Sequence, residues 1–225
     1  MAGPRLQPMQ RIASILMAMA AAYTGLAMSA PSTKVLFQTG PLPQEWKSGV
    51  TGEGSAKWDV IEDRSAPSSS AVVRQSGTGT FCWAVKSDER VRDGFLEVKF
   101  QPTAGSEDQA GGLVWRFQDA NNYYVVRANA LEDNVVLYKT VNGKRSSLPV
   151  KGRMFGYGVD VDVPQGKWST LRVEFSGSLF TVYFQGRRLF QVEDTTFRDA
   201  GAVGLWTKAD SVTLFDDFTI GRQPD

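Results

Sequence analysis

The stretch GGLVWRFQDANNYYVVRANALEDNVVLYK, from Gly111 to Lys139, decides the fold. Apolar and polar residues alternate along it, which is typical of β-strands with one buried face. The alternation is interrupted by DANN at residues 119–122 and by LEDN at residues 131–134, and both segments are rich in turn-forming residues. The stretch therefore predicts a meander of antiparallel strands at Gly112–Gln118, Tyr123–Ala130 and Val135–Val141.

The pairing of these strands decides which side chains share a face. A turn at residues 119–122 places Gln118 opposite Tyr123, and directly opposed residues of an antiparallel pair point to the same side. By the same rule, the following turn places Arg127 opposite Tyr138. A slip of one residue would exchange the two faces, but the near-complete apolar face argues against it. That face, the predicted core, comprises Leu113, Trp115, Phe117, Tyr124, Val126 and Ala128.

The opposite face of the meander is polar. It collects Arg116, Gln118, Tyr123, Arg127, Asn129, Tyr138 and Thr140. Arg, Asn and Gln offer donors and acceptors to hydroxyl groups, and a tyrosine ring can stack on the apolar side of a sugar. A solvated sheet face is the alternative reading of the same residues. Two arginines on neighbouring strands, with no acid beside them, favour a ligand, because like charges so close cost stability.

The chain after residue 30 continues in the same manner, with short alternating runs between turn residues and no helical period with caps. Residues 143–167 are the least regular part and are expected to form a long loop or a loosely paired hairpin. No linker or repeat is evident, so residues 31–225 are predicted to form one all-β domain, a two-sheet sandwich or a barrel. The further strands are predicted at Lys57–Glu62, Ser70–Gln75, Phe81–Lys86, Gly94–Gln101, Ser169–Phe175, Leu179–Gln185, Arg188–Val192, Val203–Lys208 and Val212–Ile220.

Cysteine, histidine and charge exclude several classes of function. The chain has one cysteine and no histidine, so a Ser-His-Asp triad, a Cys–His dyad and a His-ligated zinc site are excluded within it. Cys82 lies between Phe81 and Trp83, which favours a buried, inert thiol over a nucleophile. The formal net charge of +1 gives no electrostatic basis for nucleic-acid binding.

The first 30 residues have the pattern of an export signal. Arg5 and Arg11 precede an apolar run at residues 12–22, and small residues follow up to Ala30. We expect cleavage near residues 27–30 and a protein that is periplasmic or secreted, with no membrane attachment afterwards. An uncleaved anchor is the alternative, since residues 12–30 are about long enough to span a bilayer.

Several segments together resemble a known superfamily. They are GGLVWRFQDANNYYVVRANALEDNVVLYKTVNGKR, WSTLRVEFSGSLFTVYFQGRRLFQVEDTTF and AGAVGLWTKADSVTLFDDFTI. They resemble the concanavalin A-like jelly-roll superfamily over residues 34–221. More narrowly, they are similar to the bacterial 3-keto-disaccharide hydrolase domain and its exported relatives with a laminin G-like layout. The resemblance implies a two-sheet antiparallel jelly-roll sandwich with one concave, ligand-facing sheet and a carbohydrate as its partner. It carries no catalytic residue set onto this chain.

The residues give little support to ordinary glycoside hydrolysis. That reaction needs two carboxylates about 5 to 9.5 Å apart, and the Glu-x-Asp-x-x-Glu strand of the related glucanases is absent. A 3-keto sugar could instead be cleaved by elimination, which needs a base and a group that stabilises the enolate. Glu132 is the candidate base, although turn chemistry also explains it. Arg116, Arg127 or Lys208 could stabilise the enolate.

Two further segments contribute candidate residues. In LWTKADS, from Leu205 to Ser211, Trp206 and Lys208 share one face of a predicted strand. Trp206 could stack on a sugar, or it could pack in the core of the sandwich. Asp216 and Asp217 resemble the aspartates near the last strand of laminin G-like sandwiches and are candidate calcium ligands. Calcium takes six to eight oxygens, so one such pair supplies too few by itself.

Three hypotheses about function follow from the sequence. The first is a non-catalytic carbohydrate-binding domain. The second is a hydrolase or lyase that acts on 3-keto-glycosides. The third is a laminin G-like domain that recognises protein.

Overall fold

The computed structural model describes residues 1, 3, 31–68, 70–153 and 156–223. Apart from Met1 and Gly3, the predicted signal segment at residues 1–30 lies outside these ranges. Within them, no helix is long and apolar enough to cross a membrane. The export signal and its cleavage region therefore stay predictions.

The described residues form strands joined by turns and loops. Along the chain, the strands are β1 (Ser32–Lys34), β2 (Gly40–Pro41), β3 (Trp46–Ser55), β4 (Trp58–Glu62), β5 (Ala71–Gln75), β6 (Thr78–Val91), β7 (Gly94–Ala104), β8 (Ala110–Asp119), β9 (Asn122–Asn129), β10 (Asn134–Val141), β11 (Lys144–Ser147), β12 (Val159–Asp160), β13 (Ser169–Ser176), β14 (Leu179–Phe184), β15 (Arg187–Glu193), β16 (Gly201–Ala209) and β17 (Val212–Arg222).

These strands form two antiparallel sheets. The first sheet has the order β15-β14-β13-β7-β17-β5-β4-β2, and β1 also pairs with β17. The second sheet has the order β11-β10-β9-β8-β16-β6-β3, and β12 also pairs with β10. The two sheets confirm the predicted all-β sandwich.

The core lies between the sheets and is built around Trp115. This side chain is fully buried, and its ring centroid lies 5.4 Å from that of Tyr124 in the second sheet. The rings of Phe175 and Phe180 in the first sheet lie 5.8 Å and 5.4 Å away. Most of the predicted apolar face of the meander is confirmed as core, namely Leu113, Trp115, Tyr124, Val126 and Ala128.

The alternation pattern does not find strands β1, β2, β3, β11 and β12. Strand β3 is rich in glycine, serine and charged residues, and most of its side chains are at least partly exposed. Strands β11 and β12 lie in the irregular segment at residues 143–167, and both pair with β10. Short strands with exposed side chains have no apolar period that a sequence could reveal.

Pairing within the meander differs from the prediction by two residues. Val125 lies opposite Val114 rather than Arg116, and Arg127 lies opposite Val136 rather than Tyr138. A two-residue difference leaves the faces unchanged, because side chains alternate with a period of two. The predicted register of β9 and β10 is therefore wrong. For β8 and β9 it holds next to the turn, where Asp119 lies opposite Asn122, and it is offset by two residues beyond the bulge. The division of β9 and β10 into two faces is confirmed.

Strand β8 departs from its predicted faces at Arg116. The pairing shifts between residues 115 and 119, and Arg116 has a left-handed backbone with a φ of 46°. This bulge turns Phe117 onto the side of Tyr123 and directs Arg116 to the end of the sandwich, so the predicted positions of Arg116 and Phe117 are wrong. Gly201 of β16 packs against the bulge, since a Cβ there would lie 2.4 Å from the carbonyl carbon of Arg116.

The second sheet curls, which makes the face away from the core concave. The guanidinium carbon of Arg145 on β11 lies 4.4 Å from the ring centroid of Phe81 on β6, five strands away. In a flat sheet those strands would be about 24 Å apart. The hydroxyls of Thr51 on β3 and Tyr123 on β9 likewise lie 2.9 Å apart. Both edges of the second sheet therefore bend over what we call the concave face.

The single cysteine is a packing residue, as predicted. Cys82 on β6 is fully buried in the core. Burial raises the pKa of its thiol to about 11, with a smaller opposing effect from the Thr207 hydroxyl. The thiol is therefore protonated at neutral pH and unsuited to act as a nucleophile.

Candidate functional site

A polar cluster at one end of the concave face is centred on Arg127. The guanidinium donates to the Glu132 carboxylate at 2.6 Å and to the hydroxyls of Tyr138 and Tyr157 at 3.1 Å and 3.2 Å. It also donates to the side-chain oxygen of Asn134. Its Nε is buried and has no hydrogen-bond partner among the described residues. We call these five side chains the Arg127 cluster.

The β9–β10 turn and the segment before β12 bring the cluster together. Asp133 in that turn has a φ of 47°, and its carboxylate accepts the backbone N–H of Val163 at 3.0 Å. Its carbonyl accepts the backbone N–H of Val161 at 2.9 Å. Gly158 runs so close to β10 that a Cβ there would lie 2.3 Å from the Val135 carbonyl oxygen. These contacts hold Tyr157 over the arginine.

Tyr157 and Glu132 form the exposed rim of the Arg127 cluster. Tyr157 is 47% exposed and the Glu132 side chain 37%, whereas the Arg127 side chain is 1% exposed. A ligand can therefore reach the rim, while the buried arginine holds the rim groups in place. Sequence reasoning missed Tyr157, because its irregular segment carries no alternation that would place it on this face.

A second ion pair flanks the Arg127 cluster. Lys208 on β16 pairs with the buried carboxylate of Asp108, which also accepts the Asn129 side-chain amide at 2.6 Å. The charge of Lys208 also acts on the Glu132 carboxyl. The structure thus brings five predicted site residues to one end of the concave face, namely Arg127, Asn129, Glu132, Tyr138 and Lys208. Asp108 was not found from sequence, because it precedes β8 in a loop without a pattern.

The environment of Glu132 favours binding over proton abstraction. Burial raises the pKa of its carboxyl, but the hydrogen bond and charge of Arg127 outweigh burial, and the pKa lies below its usual value. A carboxylate with a lowered pKa is a weaker proton acceptor. The geometry therefore adds no support to Glu132 as a catalytic base.

The remainder of the concave face is filled by its own side chains. Tyr123 and Trp206, both predicted to contact a ligand, are fully buried. Trp206 stacks on Phe81 with ring centroids 5.6 Å apart, and the Arg145 guanidinium covers the rings of Tyr138 and Trp206 at 4.2 Å and 5.5 Å. With these side chains in place, a sugar has no access to the rings of Tyr123 or Trp206.

Gln118 and Arg116 lie at the other end of β8, away from the Arg127 cluster. The Gln118 side chain is exposed, accepts from Arg90 at 3.2 Å and donates to the Arg116 carbonyl at 3.2 Å. The Arg116 side chain is buried at the end of the sandwich. The predicted polar face is thus divided between two places in the fold.

The candidate calcium ligands do not converge on one site. Asp216 accepts the backbone N–H and the hydroxyl of Ser68 at 2.9 Å and 2.8 Å. Asp217 pairs with Lys34 and with Lys99; burial opposes these lysines, but they lower the pKa of its carboxyl to about 2. In the described part of the chain, no group of three or more acidic, histidine or cysteine residues could hold a metal ion. This arrangement does not fit a calcium site.

Comparison with known proteins gives matches in structure. No family model matches the chain, and no curated protein matches it in sequence. The carbohydrate binding module CBM66 from Bacillus subtilis aligns with a TM-score of 0.63 at 19% identity, over 82% of this chain and 100% of that one. A β-glucanase from Bacillus licheniformis aligns with a TM-score of 0.51 at 11% identity, over 88% of this chain and 100% of that one. The chain has the concanavalin A-like jelly-roll fold.

A third structure shares this jelly roll. A protein of unknown function with a galectin-like fold from Bacillus subtilis aligns with a TM-score of 0.55 at 12% identity, over 84% of this chain and 100% of that one. Identities this low show the fold alone. The narrower resemblance to the 3-keto-disaccharide hydrolase domain therefore stays a prediction, and the function of this jelly roll has to be argued from its own residues.

Proposed function

We propose that this domain binds a carbohydrate at the Arg127 cluster. One observation carries the proposal: a buried guanidinium, whose Nε has no partner in the described part of the chain, is surrounded by a carboxylate, an amide and two phenol hydroxyls. Two of these groups, those of Glu132 and Tyr157, reach the surface. Such a set offers both donors and acceptors to neighbouring sugar hydroxyls. The half-exposed ring of Tyr157 adds a surface on which a pyranose can stack.

The shared fold agrees with this proposal. One of the matched structures is a carbohydrate binding module by name, and it covers most of this chain. The fold also hosts a β-glucanase, so fold alone does not separate binding from hydrolysis. Here the Glu132 carboxylate is tied to Arg127 and holds its proton less tightly than an ordinary glutamate, which favours binding.

We expect Tyr157→Ala to weaken sugar binding about tenfold, or about 1.4 kcal/mol, because it removes the exposed stacking ring. A glycan array identifies the sugar, and isothermal titration calorimetry then measures its affinity for each variant. Glu132→Gln should weaken binding as well, since it replaces a charged acceptor by a neutral one. The rim residues are better tests than Arg127, whose removal from a buried network would also change stability.

Tyr183→Ala is the matched control for this experiment. Tyr183 is partly buried on the outer side of the first sheet, where it donates to Glu174 at 2.9 Å. Its loss should leave sugar affinity unchanged. If no glycan on the array bound, the proposal of a carbohydrate site would be wrong. If a glycan bound Tyr157→Ala and Glu132→Gln as tightly as the unaltered protein, its site would lie outside the Arg127 cluster.

We also propose that the protein is exported and cleaved near residues 27–30. The support is the order of two arginines, an apolar run and small residues in the first 30 positions. Mass spectrometry of the protein from its producing cells should find a mature N-terminus between residues 28 and 31 in the periplasmic or secreted fraction. Recovery of the intact N-terminus in the membrane fraction would contradict cleavage and favour an anchor.

A further inference from the structure

A cleft of about 360 Å³ opens at the end of the sandwich to which Arg116 points. It lies at the opposite end of β8 from the Arg127 cluster, since Arg127 pairs with Gly112. Its walls come from the β6–β7 turn, the β8 bulge, the β13–β14 turn and the loop after β15. A volume of this order is typical of sites for small molecules. Its lining residues are Arg92, Asp93, Arg116, Gly177, Ser178, Asp194, Thr195 and Arg198.

Arg116 connects these walls through hydrogen bonds. Its Nε donates to the Arg92 carbonyl at 3.0 Å, and its Nη1 donates to the Phe197 carbonyl at 2.7 Å. Its Nη2 donates to the Asp93 carboxylate at 3.1 Å and to the Gly177 carbonyl at 2.7 Å. One planar side chain thus fixes three chain segments, so the cleft is pre-formed rather than assembled by a ligand.

The lining of the cleft carries an excess of positive charge. The carboxylate of Asp93 is already used by Arg116, by Arg92 at 3.1 Å and by the backbone N–H of Gly177 at 2.8 Å. The carboxylate of Asp194 is used by Lys139 at 2.7 Å and by the hydroxyl of Tyr124 at 2.5 Å. Both acids are therefore neutralised from within, and neither is left to balance the remaining arginine.

That remaining arginine is Arg198, which is exposed and has no ion-pair or hydrogen-bond partner within the described ranges. Ser178 and Thr195, which carry side-chain hydroxyls, line the same cleft. A free guanidinium fork matches the geometry of a carboxylate or phosphate. The two hydroxyls can bond to polar groups beside that anion.

A second cavity adjoins the cleft. Its volume is about 450 Å³; it shares Arg92 and Asp93 with the cleft and adds Arg90, Asp199 and Arg222. Arg222 pairs with Glu89, and Arg90 donates to the Ala200 carbonyl at 2.5 Å. These arginines are spread along a groove at one end of a chain whose formal net charge is only +1. A groove suits an elongated ligand better than an isolated ion.

We propose that this arginine-lined cleft is a second binding site, which holds the carboxylate-bearing unit of an acidic saccharide. Arg198 takes the carboxylate as a two-pronged pair, while Ser178 and Thr195 contact hydroxyls of the same unit. Arg116 is a positioning residue that keeps the walls in place. The site is separate from the Arg127 cluster, and neither assignment depends on the other.

Calorimetry with trigalacturonate tests the proposal, with neutral maltotriose and inorganic phosphate as comparison ligands. We expect Arg198→Gln to weaken trigalacturonate binding about tenfold, the range of one charge-assisted contact. Binding should also weaken as salt rises, because the contact is ionic and partly exposed. Arg188→Gln is the matched control, since Arg188 is an exposed arginine on β15 that does not line the cleft. Arg188→Gln should leave the trigalacturonate affinity unchanged.

Several results would overturn the proposal. If trigalacturonate did not bind, or bound Arg198→Gln as tightly as the unaltered protein, the cleft would not be its binding site. If Tyr157→Ala weakened trigalacturonate binding and Arg198→Gln did not, the binding site would be the Arg127 cluster. If phosphate bound as tightly as trigalacturonate, the cleft would bind anions in general and would not recognise a saccharide. Displacement of trigalacturonate by a lower concentration of a single-stranded oligonucleotide would identify a phosphate polymer as the ligand.

Discussion

Replacing Trp115 with alanine should lower the free energy of unfolding by about 3–5 kcal/mol. The side chain is fully buried and is in contact with rings from both sheets, with Tyr124 on one side and with Phe175 and Phe180 on the other. Its removal takes away apolar burial and leaves a cavity, because rings on two separate sheets cannot collapse fully into the space. Urea denaturation followed by circular dichroism measures the loss.

Two variants sharpen this experiment. Trp115→Phe should cost far less than Trp115→Ala, since the indole Nε1 is buried with no hydrogen-bond partner among the described residues and phenylalanine restores most of the ring. Trp168→Ala is the surface control, because Trp168 is partly exposed and makes one long hydrogen bond of 3.3 Å to Ser65. If Trp168→Ala destabilised the domain as much as Trp115→Ala, the central place given to Trp115 in the core would be wrong.

Replacing Arg116 with alanine should cost about 3 kcal/mol of stability. The buried guanidinium makes four hydrogen bonds. Its loss takes their donor from the carbonyls of residues 92, 177 and 197 and removes one of the donors to the Asp93 carboxylate. Arg116→Lys should restore little, because one ammonium group lacks the planar fork that reaches three segments. Urea denaturation again measures the effect.

Backbone conformation separates two explanations for that loss. Arg116 has a φ of 46°, which a residue with a Cβ adopts at a cost of about 1–2 kcal/mol and glycine adopts freely. Arg116→Gly loses the same hydrogen bonds as Arg116→Ala but avoids the strain, so it should be about 1 kcal/mol more stable than Arg116→Ala. Equal stabilities of the glycine and alanine variants would contradict the assigned backbone strain.

The part of the fold that the sequence predicts is the part with a clear period. Strands β9 and β10 alternate cleanly, so their faces follow from counting, and Tyr124 and Val126 fall in the core as expected. The predicted register was two residues off for β9 and β10, and for β8 and β9 beyond the bulge. Apolar patterning cannot detect such an error, because a shift by two residues keeps every side chain on its face.

The rest could not be predicted, because it depends on contacts between distant segments. The bulge at Arg116 is stabilised by carbonyls of residues 92, 177 and 197, and no glycine marks it in the sequence. Arg145 reaches Phe81 only because the second sheet curls. Tyr157 meets Arg127 across 30 residues of chain. Each of these contacts joins segments that have no local signal of their own.

The position of β17 has a consequence for folding. It follows β5 and β7 in the chain, yet it lies between them near the middle of the first sheet, and β1 pairs with it as well. Until β17 is inserted, β5 and β7 each have an unpaired edge, and unpaired edges invite aggregation. Pairings between segments so far apart in sequence also form slowly. The first sheet is therefore completed late, and β5 and β7 are open to wrong strand pairing until β17 is in place.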